Sequence, residues 1–276
     1  MGIYSPIFIG AIGGSRTRAV AELLHNAGFF MGKKLNHAFD NRLFHLFSQP
    51  ALSDVLQNKN MINERIDLLR QLSTQTSPDL TQYTHLLGYL PIDGPSPEGV
   101  DALKRCIVCE YCPDEEPRQW GFKNPRSHFF CEHILDRLCE SHFIYVIRHG
   151  LDMVYSQNVR QVQKYGEIFG IKTHFSSRPE DIFSFWMATL NCILEVKNRY
   201  PDRVYILRFE DFVGSPLEQS QRLLEFAGCD VPRHTIQQLC RHVFAPDTIN
   251  RYRHKDLSWV NQAMANFLEK TGYKID

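Results

Sequence analysis

The sequence predicts a three-layer α/β fold, a central parallel sheet flanked by helices, and three observations carry that reading. Short apolar runs recur at Pro6–Ile9, Trp120–Phe122, Phe143–Ile147 and Val204–Phe209. Segments with helical spacing of apolar residues separate them, the alternation that builds parallel strands joined by crossover helices. Phe143–Ile147 is apolar at every position, the pattern of a strand buried on both faces. At 276 residues the chain is long for one average domain and short for two, so one domain is expected over 1–276, with a helical insertion at about 38–118.

The elements follow in order. The first strand, Pro6–Ile9, runs into glycines, and a helix is expected over Thr17–Ala27. Val20, Ala21, Leu23 and Leu24 supply its buried stripe, and Gly28 stops it. Phe29–Met31 reads as a second short strand. From Ala38 to Leu90 the spacing is helical, through Leu43, Leu46 and Phe47 and then Ile62, Ile66, Leu69 and Leu72. A helix is expected over Pro97–Tyr111, with Ser96 as cap and Val100, Leu103, Ile107 and Tyr111 on one face. Ser127 is expected to cap a helix to about Cys139, and Leu151–Val159 forms another directly after the buried strand. Arg160–Pro179 is polar and reads as a mobile surface loop before a long helix over Glu180–Arg199. Ser215, Pro216 and Glu218 have the order of a capping box that opens a helix stopped by Gly228.

Composition excludes several classes. Lys+Arg and Asp+Glu both number 31, so no global field favours nucleic acid or a membrane surface, and an anionic ligand must be held by local groups. Met1–Ile12 is apolar but too short for a signal sequence, and no run reaches the length of a membrane span. The eight cysteines form no secreted-type framework and read as reduced thiols, which predicts a cytoplasmic location. Cys106, Cys109 and Cys112 repeat every three residues, but on the expected helix that spacing gives a stripe of small side chains with no fourth ligand nearby.

Function is concentrated in one turn. Gly10-Ala-Ile-Gly-Gly-Ser-Arg-Thr-Arg18 sits where the first strand hands over to the first helix. Glycines let successive N–H groups curl into one concavity, and the helix adds its positive dipole end. Gly13 and Gly14 shape the turn, Ser15 and Thr17 offer hydroxyls, and Arg16 and Arg18 offer charge-assisted bonds. The bland alternative is a glycine-rich turn with two solvated arginines; its place after strand one favours a P-loop-like phosphate site. The second Gly and the Lys of a Walker A turn are both absent, and the buried strand ends in Arg148 rather than an Asp for magnesium, which argues against NTP hydrolysis.

The run from Phe143 to Ser156, Phe-Ile-Tyr-Val-Ile-Arg-His-Gly-Leu-Asp-Met-Val-Tyr-Ser, resembles a signature of sulfotransferases that use 3′-phosphoadenosine 5′-phosphosulfate (PAPS). The resemblance implies that Arg148 and Ser156 hold the 3′-phosphate. The first turn is similar to the family's phosphosulfate loop, Lys/Arg-Ser-Gly-Thr-Thr/Ser, and more so to a bacterial branch with Gly-Gly-Ser-Gly-Thr-Arg. Gly14 stands where the family has a base and Arg16 where it has Gly; in that branch Arg18 supplies the charge. Trp120-Gly-Phe-Lys-Asn-Pro125 looks like a Lys-x-Pro segment whose Lys approaches the sulfonyl group, which implies that role for Lys123. Leu207-Arg-Phe-Glu-Asp211 resembles a strand end whose acidic pair is structural, and Thr248–Arg253 a segment that closes over the nucleotide through Arg251.

Sulfuryl transfer needs an acceptor placed in line, a base for its proton, and cations for the developing charge; no metal is required. The resemblance implies Asp40 as the base, since Asn36–Asn41 follows the second short strand, where relatives place their acidic base, with His37 and His128 as alternatives. The resemblance also implies PAPS as the donor and 3′,5′-phosphoadenosine (PAP) as the product. The acceptor is a small molecule, a glycan or a peptide, with no nucleic-acid partner and no membrane insertion; oligomeric state is not readable. Two other readings stay open: a protein that binds PAP or PAPS without transfer, and a P-loop nucleotide or small-molecule kinase.

Overall fold

The computed structural model describes residues 5–156, 160–171 and 178–275. Four strands, β1 (Ile7–Gly10), β2 (Gly121–Lys123), β3 (His142–Ile147) and β4 (Val204–Arg208), form one sheet in the order β2-β1-β3-β4. All three pairings are parallel, with Ile9 opposite Lys123, Gly10 opposite Tyr145 and Ile147 opposite Arg208. Every strand therefore ends at the same edge. The chain moves outward from β1 to β2, then returns across β1 to β3 and β4, so the topology reverses between β1 and β3. That crevice is where open parallel sheets bind ligands.

Side chains alternate between two cores, as the strand period of two requires. On one face Phe8, Phe122, Phe143 and Tyr145 meet Ile62, Ile66 and Leu69 of the insertion and Phe183 and Trp186 of the Pro179–Arg199 helix. On the other, Ile7, Ile9, Ile144 and Val146 pack on Val20, Leu23 and Leu24 of α1 (Thr17–Asn26) and on Leu223 and Leu224 of the Pro216–Phe226 helix. The insertion is a set of short helices, with Lys59–Thr74 the longest, inside the same hydrophobic cluster as the sheet.

Close packing sets the crevice. A Cβ on Gly10 would lie 2.7 Å from Phe143 Cζ and 2.9 Å from the backbone nitrogen of His128. One on Gly150 would meet Phe183 and Trp186 at 2.7 and 2.8 Å. Both glycines are needed for approach between elements rather than for an unusual φ.

Several local expectations are corrected. The helix expected from Pro97 begins at Val100, because Gly99 takes a left-handed φ of 83° and interrupts the backbone there. Its face holds as to Ile107 and Tyr111, which are buried, while Val100 is 53% exposed. Ser127 does not cap: Asn124 Oδ1 accepts the Arg126 N–H at 3.1 Å and opens a 3-10 turn, Pro125–Phe130, before a helix that stops at Arg137. The Ser215–Glu218 capping box is not formed, since Glu218 pairs with Arg222 at 2.6 Å and Ser215 makes no side-chain cap bond. Phe29–Met31 yields only an isolated bridge from Phe30 to Trp120. The segment read as a mobile loop contains a helix, Arg160–Tyr165, and a 3-10 turn, Gly166–Phe169, because Val162 and Tyr165 are apolar enough to be buried. Residues 172–177 of that segment, and 157–159 of the helix expected to Val159, lie outside the described residues.

Candidate active site

The phosphate turn hangs from the end of β1. Gly14 has φ 99° and Arg16 φ 63°, two left-handed residues that curl the chain so that α1 starts at Thr17. Ser15 and Thr17 are buried beneath the turn. Gln161 Oε1 accepts the Gly13 N–H at 2.9 Å and pins the turn to the Arg160–Tyr165 helix. Sequence reading missed Gln161, because a polar residue in a segment taken for a loop gives no signal.

Beside the turn lies a cavity of about 660 Å³ lined by Gly14, Arg16, Arg148, Tyr155, Ser156, Arg160, Thr248 and Arg251. Arg148, directly after β3, is 2% exposed. Its Nη2 donates to Thr248 Oγ1 at 3.0 Å and to the Thr248 carbonyl, and lies 3.4 Å from Asp152 Oδ2. Its buried Nε has no partner among the described residues. Asp152 is fully buried and accepts the backbone N–H groups of Asn250 at 2.9 Å and Tyr252 at 3.4 Å, so it ties Arg148 to the segment carrying Arg251. Arg251 itself donates to the carbonyls of Thr248 at 3.0 Å and Tyr155 at 3.2 Å.

The electrostatics are those of an anion site. Four arginines line the cavity, and among the described residues Asp152 is the one carboxylate paired with any of them. Burial pushes the Arg148 guanidinium below its ordinary value, against the pull of Asp152. Burial also lowers Arg251, helped by Arg148. Cations held at this cost are relieved when an anion enters.

Ser156 lies just past the Gly150–Val154 helix rather than on its second turn, with its N–H bonded to the Met153 carbonyl at 3.1 Å, and still lines the cavity with Arg148. Arg18 does not reach this cavity. It pairs with Glu22 at 2.7 Å, one helical turn on, and lines an adjoining cleft of about 280 Å³ with Arg16, Phe209, Val213, Phe244 and Pro246.

Lys123 and Asp40 meet at the end of β2. Lys123 is 2% exposed; its Nζ donates to Asp40 Oδ1 at 2.5 Å and to the Ala38 carbonyl at 2.8 Å. Burial lowers the Lys123 pKa, and the charge of Asp40 opposes the shift. An ammonium has three donors, so one remains for a ligand. Asn36 holds Asp40 from the other side, its Nδ2 bonding Oδ2 at 3.0 Å and its Oδ1 accepting the Asp40 N–H at 2.9 Å. Phe39, with φ 62°, completes this turn. His37 is exposed on it. His128 is buried under the phosphate turn, its Nδ1 2.8 Å from the Pro125 carbonyl, and burial lowers its pKa to about 4. It is neutral near neutral pH and faces backbone. Glu210 accepts the His149 N–H at 2.9 Å and the Tyr273 hydroxyl at 3.0 Å, while Asp211 pairs with Arg208 at 2.9 Å. Both acidic groups are structural.

A sequence model described as the Sulfotransferase family matches residues 6–233. The chain belongs to the sulfotransferase family. As a PAPS-dependent sulfotransferase it moves a sulfuryl group from PAPS to an acceptor and releases PAP, which settles the choice against phosphoryl transfer. Among solved structures it is similar to the sulfotransferase domain of the Synechococcus PCC 7002 olefin synthase, with 15% identity, TM-score 0.51 and coverage of 99% of this chain and 97% of that one. The sulfotransferase domain of the curacin biosynthetic pathway gives 15% identity and TM-score 0.52 over 100% of both chains. Sulfotransferase STF9 from Mycobacterium avium gives 12% identity and TM-score 0.53, over 100% of this chain and 78% of that one. These likenesses show a shared fold. A comparison with curated protein sequences found no match. Among the described residues no helix is long and apolar enough to cross a membrane, and no three His, Cys, Asp or Glu converge as a metal set.

Proposed function

We propose that the four-arginine cavity holds the 3′-phosphate of the donor, and that the Lys123–Asp40 pair carries the transfer. The observation that supports this most directly is Arg148: a buried guanidinium with an unpartnered Nε, lining a cavity with three further arginines and a single paired carboxylate. Arg148, Ser156 and Arg251 receive the 3′-phosphate. Gly13, Gly14, Ser15 and Thr17 receive the 5′ end, and the adjoining cleft between Phe209 and the 74%-exposed Phe244 accepts the base. Arg148 lies 5.9 Å from the Phe209 ring, which joins the two spaces.

The bound donor supplies the sulfuryl group and the PAP leaving group. Asp40 takes the acceptor's proton, with Asn36 and Lys123 fixing its carboxylate. Lys123 supplies positive charge beside the reacting centre from a rigid strand end. The acceptor is a small molecule, a glycan or a peptide. Eight free cysteines support a reducing, cytoplasmic setting, and the loop pattern supports a bacterial source. The two packed faces of one sheet support a single domain over 1–276, and equal numbers of basic and acidic residues, 31 each, favour no nucleic-acid partner.

Calorimetric titration with PAP and with ATP plus magnesium, beside an Arg148→Ala variant, tests the site. Tight PAP binding that the variant loses by about 100-fold is expected, as for a desolvated charge-assisted contact. Preference for ATP, or an indifferent variant, would remove the assignment.

A further inference from the structure

Arg16 departs from the loop pattern that the sequence resembles. It stands where that loop has Gly, while Gly14 stands where the loop has its basic residue. Arg16 has a left-handed φ of 63° and ψ of 31°, a conformation glycine adopts freely and an arginine does not. A side chain is thus held at a conformationally unfavourable position at the start of α1.

What the side chain does there is visible in the cavities. Arg16 borders both the four-arginine cavity, with Arg148, Ser156, Arg160 and Arg251, and the adjoining cleft with Phe209 and Phe244. It forms no ion pair with a carboxylate among the described residues, and its charge weakens the hold of Arg148 and Arg251 on their protons. The buried Arg148 Nε in the same cavity is likewise without a partner. A strained backbone that carries an unpaired cation toward other cations is costly in the empty protein on both counts. Both costs are recovered only with an anion between them.

We infer that Arg16 is the relocated loop cation of this enzyme, a donor-binding residue whose guanidinium spans the junction between the phosphate cavity and the base cleft. The inference rests on the donor site proposed above and adds the residue that replaces the family's loop base. Arg16 stabilises the bound donor at the expense of the unliganded fold.

The test uses the full chain and PAP as the probe, with Arg16→Gly, Arg16→Lys and the double variant Gly14→Lys/Arg16→Gly. Unliganded Arg16→Gly is expected to melt about 2–4 °C above the parent, since strain and cation repulsion are both removed. Its PAP affinity is expected to fall about 10–100-fold, with a shallower dependence on salt. Arg16→Lys keeps part of the affinity, and the double variant recovers most of it by returning charge to position 14. If the parent binds PAP tightly and Arg16→Gly binds it equally well, the inference fails while the donor site stands. If the parent does not bind PAP, both fall together.

Discussion

Lys123 Nζ and Asp40 Oδ1 lie 2.5 Å apart, so the two groups assigned charge stabilisation and proton transfer form one ion pair. Lys123 is nearly inaccessible, whereas the Asp40 side chain keeps 25% of its surface. That asymmetry suits the proposed division of roles, with the more exposed carboxylate open to an acceptor and the buried ammonium holding it in place.

Asp40→Asn preserves shape and the contact with Asn36 but cannot take a proton. Its kcat is expected to fall about 10²–10⁴-fold with PAP affinity unchanged. Lys123→Met also lowers kcat, and leaves the partly exposed Asp40 with Asn36 but without its ammonium partner, so its unfolding free energy drops by about 1 kcal/mol as well. Single-turnover kinetics beside urea unfolding separate the two effects. An Asp40→Asn enzyme with parental kcat would return the base to an unassigned residue.

Asp152 is predicted to act on donor affinity from a position of complete burial. Asp152→Asn keeps an acceptor for the Asn250 N–H but removes the single negative charge paired with the arginine cluster. The unliganded variant should lose about 2–3 kcal/mol of stability. PAP should then raise its melting temperature by more than it raises the parent's, because the anion replaces the missing charge. A smaller ligand-induced shift than the parent's would contradict this account.

His128 predicts an acid-sensitive fold. Its pKa is about 4 in the folded protein and about 6.5 in the unfolded chain, so the unfolded state binds the extra proton between those values. Stability from this group is fully present above pH 6.5, declines as pH falls through the window, and is lost below pH 4. The cost approaches about 3 kcal/mol, from the 1.36 kcal/mol carried by each tenfold change in proton affinity. Urea unfolding of the parent and of His128→Gln from pH 7 to 4.5 checks it: the parent should show the steeper decline, and parallel curves would reject the assignment.

Gly10→Ala is predicted to cost about 1–3 kcal/mol, because its methyl would lie 2.9 Å from the His128 backbone and push the phosphate turn off the sheet. PAP affinity should weaken in the same variant. Loss of stability with parental PAP affinity would show that the turn moves independently of β1.

Much of the fold was legible because it depends on patterns that a linear sequence carries. The four strands fell within one or two residues of expectation, since short apolar runs at the ends of helical segments leave few alternatives. The Arg148–Asp152 pair was not legible from its spacing of four, because Arg148 lies in the turn before the Gly150–Val154 helix rather than on it. Nor was the Lys123–Asp40 contact, because it joins an edge strand to a turn 83 positions away through the bend at Phe39. Capping was the weakest point: Asn124 and Ser127 offer the same chemistry three residues apart, and only tertiary packing chose the first. The role of Gln161 depended on a helix whose amphipathic stretch is too short to register as a period.

Residues 272–274 return to the site. Tyr273 bonds Glu210 at 3.0 Å, the Lys274 carbonyl lies 2.9 Å from His149 Nε2, and Arg208 donates to the Gly272 carbonyl at 2.6 Å. These bonds tie residues 272–274 to His149, directly after Arg148, and to the end of β4, so a segment distant in sequence braces the end of β3. Loosening residues 272–274 would therefore be expected to slacken the arginine cavity without touching a residue that lines it.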